Sequence, residues 1–511
     1  MPAKETPAAR IERLIAAGDN RGALAAADEL LRQSPQSFLG RFGRARALIR
    51  LGFEAEGGRE LAIAEKLSPN DEHLLLVRGR YEFRNGRADA AIAVLERLVR
   101  GRGAHALEGA FSLLEAYYYA GRRDALAAMV RAGGAWTKDP RAALHVARAS
   151  AIEDPSKGIE SFLAIWRSGA PVVTRRYAGF EAAELLDRAG RYREAFDLIG
   201  EVHRTTAPPG DLAASMAPLA AQLAILEKGT GHFKPRCTPA EGELRTAFVV
   251  ALPRSGTTLL EHMLDRHPSI AGIGEYTGLE AIRRTLAAAD SWPQRPGAVP
   301  DATFAAMRRE YLEGARALAP VEAASASASA PAPAPASASA WTFDKSLIAW
   351  SSLPEIATIF PGSVCLAIDR DPRDNATSIL FSHLNAALNP WAGDLTAIRA
   401  MIGWQRRIVP RALEVLGLAH ESIAYEDLVE DPARFAARCL ARMDLRMDER
   451  VLSPEAGTRV AATLSHAQVR RPINRAAIGR WRNYAWAFDG AWEELVAMHE
   501  ARRARAAAAG G

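Results

Sequence analysis

The sequence predicts a multidomain protein in which an all-α array of helical hairpins precedes a three-layer α/β domain built on a parallel sheet. Three observations carry this. Glycines recur at a near-constant period through the first two hundred residues. Beyond about residue 240, apolar runs of strand type alternate with helix-like stretches. The chain has 511 residues, too many for one ordinary core when a domain takes about 100 to 200.

Gly18, Gly52, Gly86 and Gly121 fall 34, 34 and 35 residues apart, and Gly190 lies 69 residues after Gly121, which is two more periods. Small residues follow at nearly fixed offsets (Ala23, Gly57, Ala91, Ala125, Ala195), and Pro35 and Pro69 each come 17 residues after a repeat glycine. Each unit therefore predicts helix, glycine turn, helix and proline-marked turn, with one imperfect unit near Pro155. Segments such as AAIAVLERLV carry an apolar stripe at helical period. A single hairpin cannot bury that stripe, whereas about six stacked hairpins do. The pattern over residues 6–205 resembles the tetratricopeptide repeat family, which implies a right-handed solenoid. Residues 206–240, including DLAASMAPLAAQLAILEKG, are predicted as a connecting helix and linker.

Residues 241–500 form the second predicted domain. TAFVVAL is a strand that runs through a glycine turn into a helix, and SVCLAIDRDPRDNATSILFSHL repeats the transition. Strands separated by helices imply a parallel sheet with right-handed crossovers. HPSIAGIG is expected to be a helix-to-loop stretch. Residues 321–340 are almost wholly Ala, Ser and Pro; with nothing to bury, they are predicted to be a disordered insertion. A tolerated loop expansion is the default reading, with a lid over the site as its alternative.

Composition narrows the function classes. Charged residues are 24% of the chain and the net charge is only +5, so no nucleic-acid partner is expected. The basic cluster near Arg470 to Arg482 suits a small anion. Cys237, Cys365 and Cys439 are odd in number and widely spaced, so neither disulfides nor a metal site are expected. The first twenty residues carry charges where a signal peptide needs its apolar run, and no long apolar window follows. A cytoplasmic location without a membrane span is the expectation.

The strongest chemical motif is Pro253-Arg254-Ser255-Gly256-Thr257-Thr258, between a strand and a helix. Successive backbone N–H groups at such a turn, added to a helix N-terminus, form an anion cradle; Gly256 allows close approach, and Thr257 and Thr258 add hydroxyls. It is not a Walker A loop, because the lysine is absent and Arg254 is the fixed charge.

With Asp265-Arg266-His267-Pro268, Gly274-Glu275, Asp344-Lys345, Arg370 to Asp374 with Ser378, Tyr425 to Leu428, and Gln468 to Asn474 with Ile478 to Trp481, this loop resembles the sulfotransferase superfamily. It looks closest to bacterial members with N-terminal tetratricopeptide repeats, whose catalytic domain is similar to tyrosylprotein sulfotransferases. The resemblance implies a P-loop-like fold and 3′-phosphoadenosine 5′-phosphosulfate as donor. By motif, Arg254, Ser255, Gly256, Thr257 and Thr258 would hold the 5′-phosphosulfate, and Arg370 with Ser378 the 3′-phosphate. Tyr425 would lie near the adenosine, while Ser465, Arg471, Asn474 and Arg480 belong to the segment that closes over the nucleotide. Glu275 is the expected base and Lys345 the principal stabiliser of the leaving oxygen, assisted by Arg254 and Ser465. The spacing before Glu275 has one extra residue, and one Glu stands where the relatives have two. His267, a rival base by type, falls in a turn, and His383 is expected on a helix face in a structural role.

The expected function is thus transfer of a sulfuryl group to an acceptor hydroxyl, of a peptide tyrosine or a sugar, with the repeats recruiting the acceptor protein, peptide or glycan. A nucleotide-dependent kinase using the same cradle and a repeat scaffold with an inactive domain remain as alternatives. The two halves are expected to be separable, a chain starting near Asp211 still binding nucleotide.

Overall fold

The glycine period marks the turns of helical hairpins. The computed structural model describes residues 5–206, 211–229, 231–289, 291–319, 341–457 and 472–508. Six hairpins come first: α1 (Pro7–Ala16) with α2 (Asn20–Gln33), α3 (Phe38–Leu51) with α4 (Glu54–Leu67), α5 (Glu72–Arg84) with α6 (Ala88–Gly101), α7 (Ala106–Tyr119) with α8 (Arg123–Ala132), α9 (Ala142–Glu153) with α10 (Pro155–Trp166), and α11 (Val172–Arg188) with α12 (Tyr192–Thr206). Gly52 ends α3 in the left-handed region at φ 92°, and the other four repeat glycines share that region. A Cβ on Gly52 would meet nothing within 4 Å. Backbone handedness, and not space, requires glycine there. The imperfect unit lacks such a glycine and turns at Asp154, which caps α10 ahead of Pro155.

Small residues after the turns serve close packing. Ala23, Ala91 and Ala195 are fully buried, and a Cβ on Gly57 would fall 2.5 Å from Ile49. Ala125 is only half-buried; Leu126 points inward there. Ile11, Ile15, Ala23 and Ala27 form one cluster with Ala47 of the next hairpin, so each stripe is covered by its neighbour.

The chain groups into two compact units, one ending at Ala149 and one beginning at Ser150, apart from residues 316–318, which group with the first. The repeat region predicted for 6–205 runs across this division, so α10 to α12 belong to the same unit as the sheet. The predicted linker contains α13 (Leu212–Glu227).

Five parallel strands make the sheet: β1 (Arg245–Val250), β2 (Ile270–Gly274), β3 (Trp341–Asp344), β4 (Val364–Asp369) and β5 (Ala419–Ala424), in the order β2-β3-β1-β4-β5. The stretch HPSIAGIG, expected as helix to loop, contains β2. Its glycines hid it, because strand propensity is weak there and pairing with β3 supplies the order, with a register shift between Gly272 and Gly274. Ala247 and Val249 of β1 pack with α14 (Thr257–Leu264), α20 (Tyr425–Glu430) and α21 (Pro432–Arg442). On the other face Phe248 meets Tyr311 of α16 (Asp301–Leu318) and Phe360 after α17 (Leu353–Ile359). Helices thus cover both faces, as a parallel sheet requires. The insertion at 321–340 lies outside the described residues.

The last hairpin packs directly on the sheet domain. His203 Nε2 donates to the Leu380 carbonyl at 2.9 Å, Tyr177 stacks on His383 at 4.1 Å, and Tyr192 and Phe196 pack on the fully buried Tyr484. His383 lies in the bend after α18 (Pro372–Leu380), not on a helix face. This packing bears on separability. A chain beginning at Ser150 is expected to unfold cooperatively, whereas one beginning at Asp211 strips the cover from Tyr484 and His383. Loss of several large buried contacts should lower the Tm of the second by about 10 °C or more relative to the first, as read by calorimetry; equal Tm values would count against this docking.

Candidate active site

In a parallel sheet every strand ends on the same edge, and here each strand end carries one expected site residue. The cradle follows β1, Glu275 follows β2, Lys345 follows β3, Arg370 follows β4, and Tyr425 follows β5. This edge is where open α/β sheets bind ligands.

The cradle turns sharply: Arg254 has φ 68° and Gly256 φ 100°. A Cβ on Gly256 would fall 2.3 Å from the Tyr425 ring, so both conformation and space demand glycine. Ser255, Thr257 and Thr258 are buried. From α18, Asn375 Nδ2 donates to the Pro253 carbonyl at 3.0 Å and to Ser255 Oγ at 3.3 Å, fixing the loop from outside.

Cations gather around it. Arg254 Nε donates to Ser378 Oγ at 3.1 Å. Arg370 donates to the Arg254 carbonyl at 2.8 Å and to the Ala477 carbonyl, and its guanidinium lies 4.7 Å from the Tyr425 ring centre. Its buried Nε has no hydrogen-bond partner among the described residues. Burial, then the charges of Arg370 and Arg480, push the Arg254 guanidinium down to about 10. A group so crowded by like charge favours an anion.

Beside the first turns of α14 lies an ion pair. Lys345, 1% exposed, donates to Glu275 Oε1 at 2.9 Å, and its Nζ is 3.9 Å from Glu261 of α14. The Glu275 side chain keeps 45% exposure, so a base there is reachable. Glu261, buried, accepts the Gly274 N–H at 2.8 Å and ties β2 to α14. Burial raises the adjacent Asp344 carboxyl to about 6, although it accepts from Tyr311 at 2.6 Å.

The other expected residues fall as follows. Arg480 Nη2 donates to Asp187 of α11 at 2.9 Å. Asn474 is exposed, and its hydrogen bonds go to Pro472 and Ala476 of its own turn. Ser465 and Arg471 lie outside the described residues. His267 is held in its turn by the Ser269 N–H and the Arg446 carbonyl. Glu261, Asn375 and Asp187 escaped sequence reasoning, and Asp374 entered it only as part of a motif, with no role assigned. The i, i+4 spacing of Thr257 and Glu261 was the one available clue, since it puts a carboxylate one turn below the cradle.

Residues 247–449 match the family model described as the sulfotransferase family. Over that stretch the chain is similar to this family. It is similar to protein-tyrosine sulfotransferase 1 of Danio rerio, 27% identical over 244 residues, covering 46% of this chain and 64% of that protein. An uncharacterized protein of Aquifex aeolicus (strain VF5) is 24% identical over 333 residues, 61% of this chain and 40% of that one. The chain therefore spans less than two thirds of the length of these curated relatives. The sulfotransferase domain from the Synechococcus PCC 7002 olefin synthase, 18% identical, aligns over 50% of this chain and 98% of that one with a TM-score of 0.32. Among the described residues no helix is long and apolar enough to cross a membrane, and no cluster of three or more His, Cys, Asp or Glu could hold a metal.

Behind the cradle, a buried ion network braces Arg370. Its carbonyl accepts from Arg406 at 2.8 Å, and Arg406 also pairs with Asp369 at 2.9 Å. His499 of α22 (Glu493–Ala508) donates to Asp369 at 2.9 Å and lies 3.2 Å from Glu426. Burial alone would lower the imidazole, but the hydrogen bonds to Asp369 and Glu426 outweigh it and carry the group to about 9. A folded value above the unfolded value of 6.5 means stabilisation that is complete below the unfolded value and lost as pH rises through about 9. His499→Gln should therefore lower Tm most near pH 6, with the gap from wild type closing by about pH 10. A gap independent of pH would contradict the charged network.

Proposed function

We propose that this chain is a sulfotransferase that uses 3′-phosphoadenosine 5′-phosphosulfate to sulfate an acceptor hydroxyl. The observation that carries the reading is the crowding of Arg254 by Arg370 and Arg480 at a glycine turn that opens a helix, beside the Lys345–Glu275 pair. The residues fit such a donor: Arg370 has a buried Nε with no partner among the described residues, and the gathered charge favours a multiply anionic ligand.

When bound, the donor supplies the sulfuryl group. Arg254 to Thr258 hold its 5′-phosphosulfate, and Arg370 with Ser378 its 3′-phosphate. Arg480 reinforces the positive field, and Tyr425 packs near the base. Glu275 takes the proton of the acceptor hydroxyl as the acceptor oxygen bonds to sulfur and the bond from sulfur to the 5′-phosphate oxygen breaks. Lys345 and Arg254 stabilise the charge left on that oxygen. Relatives named protein-tyrosine sulfotransferases favour a peptide tyrosine as acceptor, and the helical repeats suit recruitment of such a polypeptide.

Two measurements test this. Adenosine 3′,5′-bisphosphate should bind at least about tenfold more tightly than AMP, with Arg370→Ala erasing most of the preference; equal calorimetric affinities in the wild type would sink the donor assignment and revive a kinase. Glu275→Gln and Lys345→Ala should each cut turnover about a hundredfold while bisphosphate affinity stays within a few fold. Undiminished turnover in either variant would remove that residue from the mechanism.

A further inference from the structure

Arg480 reaches the donor site by an unusual route, because its backbone and its head are held by different parts of the chain. The Gly479 and Trp481 N–H groups donate to Asp374 at 2.6 and 2.8 Å. The Arg480 guanidinium lies 5.3 Å from the Phe381 ring centre. Asp374, Ser378 and Phe381 follow one another at i, i+4 and i+7, a single stripe of α18. Ser378, in the middle of that stripe, receives Arg254 of the cradle. Arg480 is thereby laid within one helical turn of the 3′-phosphate residues.

Its head goes elsewhere. Arg480 Nη2 donates to Asp187 Oδ2 at 2.9 Å, while Tyr484 donates its hydroxyl to the other oxygen of the same carboxylate. Asp187 stands near the end of α11, a helix of the last repeat hairpin, and its side chain is 14% exposed. Tyr484 is 1% exposed and closed in by Tyr192, Phe196 and Phe381. The carboxylate is therefore a fixed anchor, desolvated enough for its ion pair to have force. Asp187 engages Nη2 of the guanidinium fork, and the fork has further N–H donors that carry no carboxylate partner among the described residues.

We propose that Asp187 is a positioning residue of the donor site, holding Arg480 for the nucleotide phosphate so that the last repeat hairpin is part of the donor-binding apparatus. This rests on the donor reading above. A long arginine restrained before binding loses less rotamer freedom when it meets the phosphate. The repeats and the sheet domain are then functionally joined at one ion pair, over and above any role of the repeats in acceptor recruitment.

The test is calorimetric binding of adenosine 3′,5′-bisphosphate to the full chain. Asp187→Asn, which keeps the shape and the bond from Tyr484, should weaken binding about tenfold, the worth of one charge-assisted hydrogen bond. Asp187→Glu, which restores the charge one methylene further out, should recover part of the loss. In an Arg480→Ala background, Asp187→Asn should cost nothing more, because its effect passes through Arg480. Wild-type affinity in Asp187→Asn, or binding tighter than wild type, would overturn the proposal, the latter by making Asp187 a competitor for Arg480. So would an equal further loss in the Arg480→Ala background, which is the mark of a general structural role, or Asp187→Glu binding no better than Asp187→Asn. Failure of the donor reading itself looks different: the wild type would then not distinguish the bisphosphate from AMP.

Discussion

Parallel alignment of five strands is the constraint from which the site follows. Because β1 to β5 all run the same way, their carboxyl ends share one edge, and residues as far apart in sequence as Asp187 and Tyr484 are brought together beside it. The sheet alone sets the first layer: cradle, Glu275, Lys345, Arg370 and Tyr425 each leave a different strand. Burial of β1 and β4 at the centre keeps that edge rigid. Cations placed there act in a medium far less screening than water, which is why a few guanidiniums suffice to make the edge strongly attractive to anions.

Helix α18 organises the second layer. Its Asn375 steadies the cradle, its Ser378 meets Arg254, and its Asp374 takes two backbone N–H groups of the segment at 479–481. Arg373 adds a stacking contact, its guanidinium 3.7 Å from the Trp481 ring centre. A buried carboxylate such as Asp374 is stable only because those N–H groups satisfy it. Behind the helix, Asp369, Glu426, Arg406 and His499 form a charge network in which opposite signs alternate. Breaking one member would strand the others, so the C-terminal helix α22 is fastened to the same edge that carries the chemistry.

The repeats divide into two kinds by the same physics. Those before residue 150 bury their apolar stripes in one another, hairpin against hairpin. The last hairpin has another surface to satisfy. It covers Tyr484 and His383, and its Asp187 and His203 take up polar groups of the sheet domain. An array that begins as a repeat therefore ends as part of the unit that holds the sheet, and the division between units falls inside the repeat pattern.

What the sequence alone determined was local. The repeat glycines were legible because left-handed backbone is a property of a single residue, and the cradle because strand, glycine turn and hydroxyl-rich helix start are contiguous. Arg370 was legible because it ends a strand-like run, whereas Lys345 and Tyr425 were singled out only by motif resemblance. β2 was misread, since AGIG has little strand preference until β3 pairs with it. Tertiary structure decided everything that depends on partners distant in the chain: Lys345 against Glu275 and Glu261, Asp374 under Gly479, and Asp187 on Arg480. No spacing rule links Asp187 to Arg480. Only the docking of α11 brings a carboxylate on a repeat helix to Arg480, and side-chain electrostatics acts on that distance in space, whatever the separation in sequence.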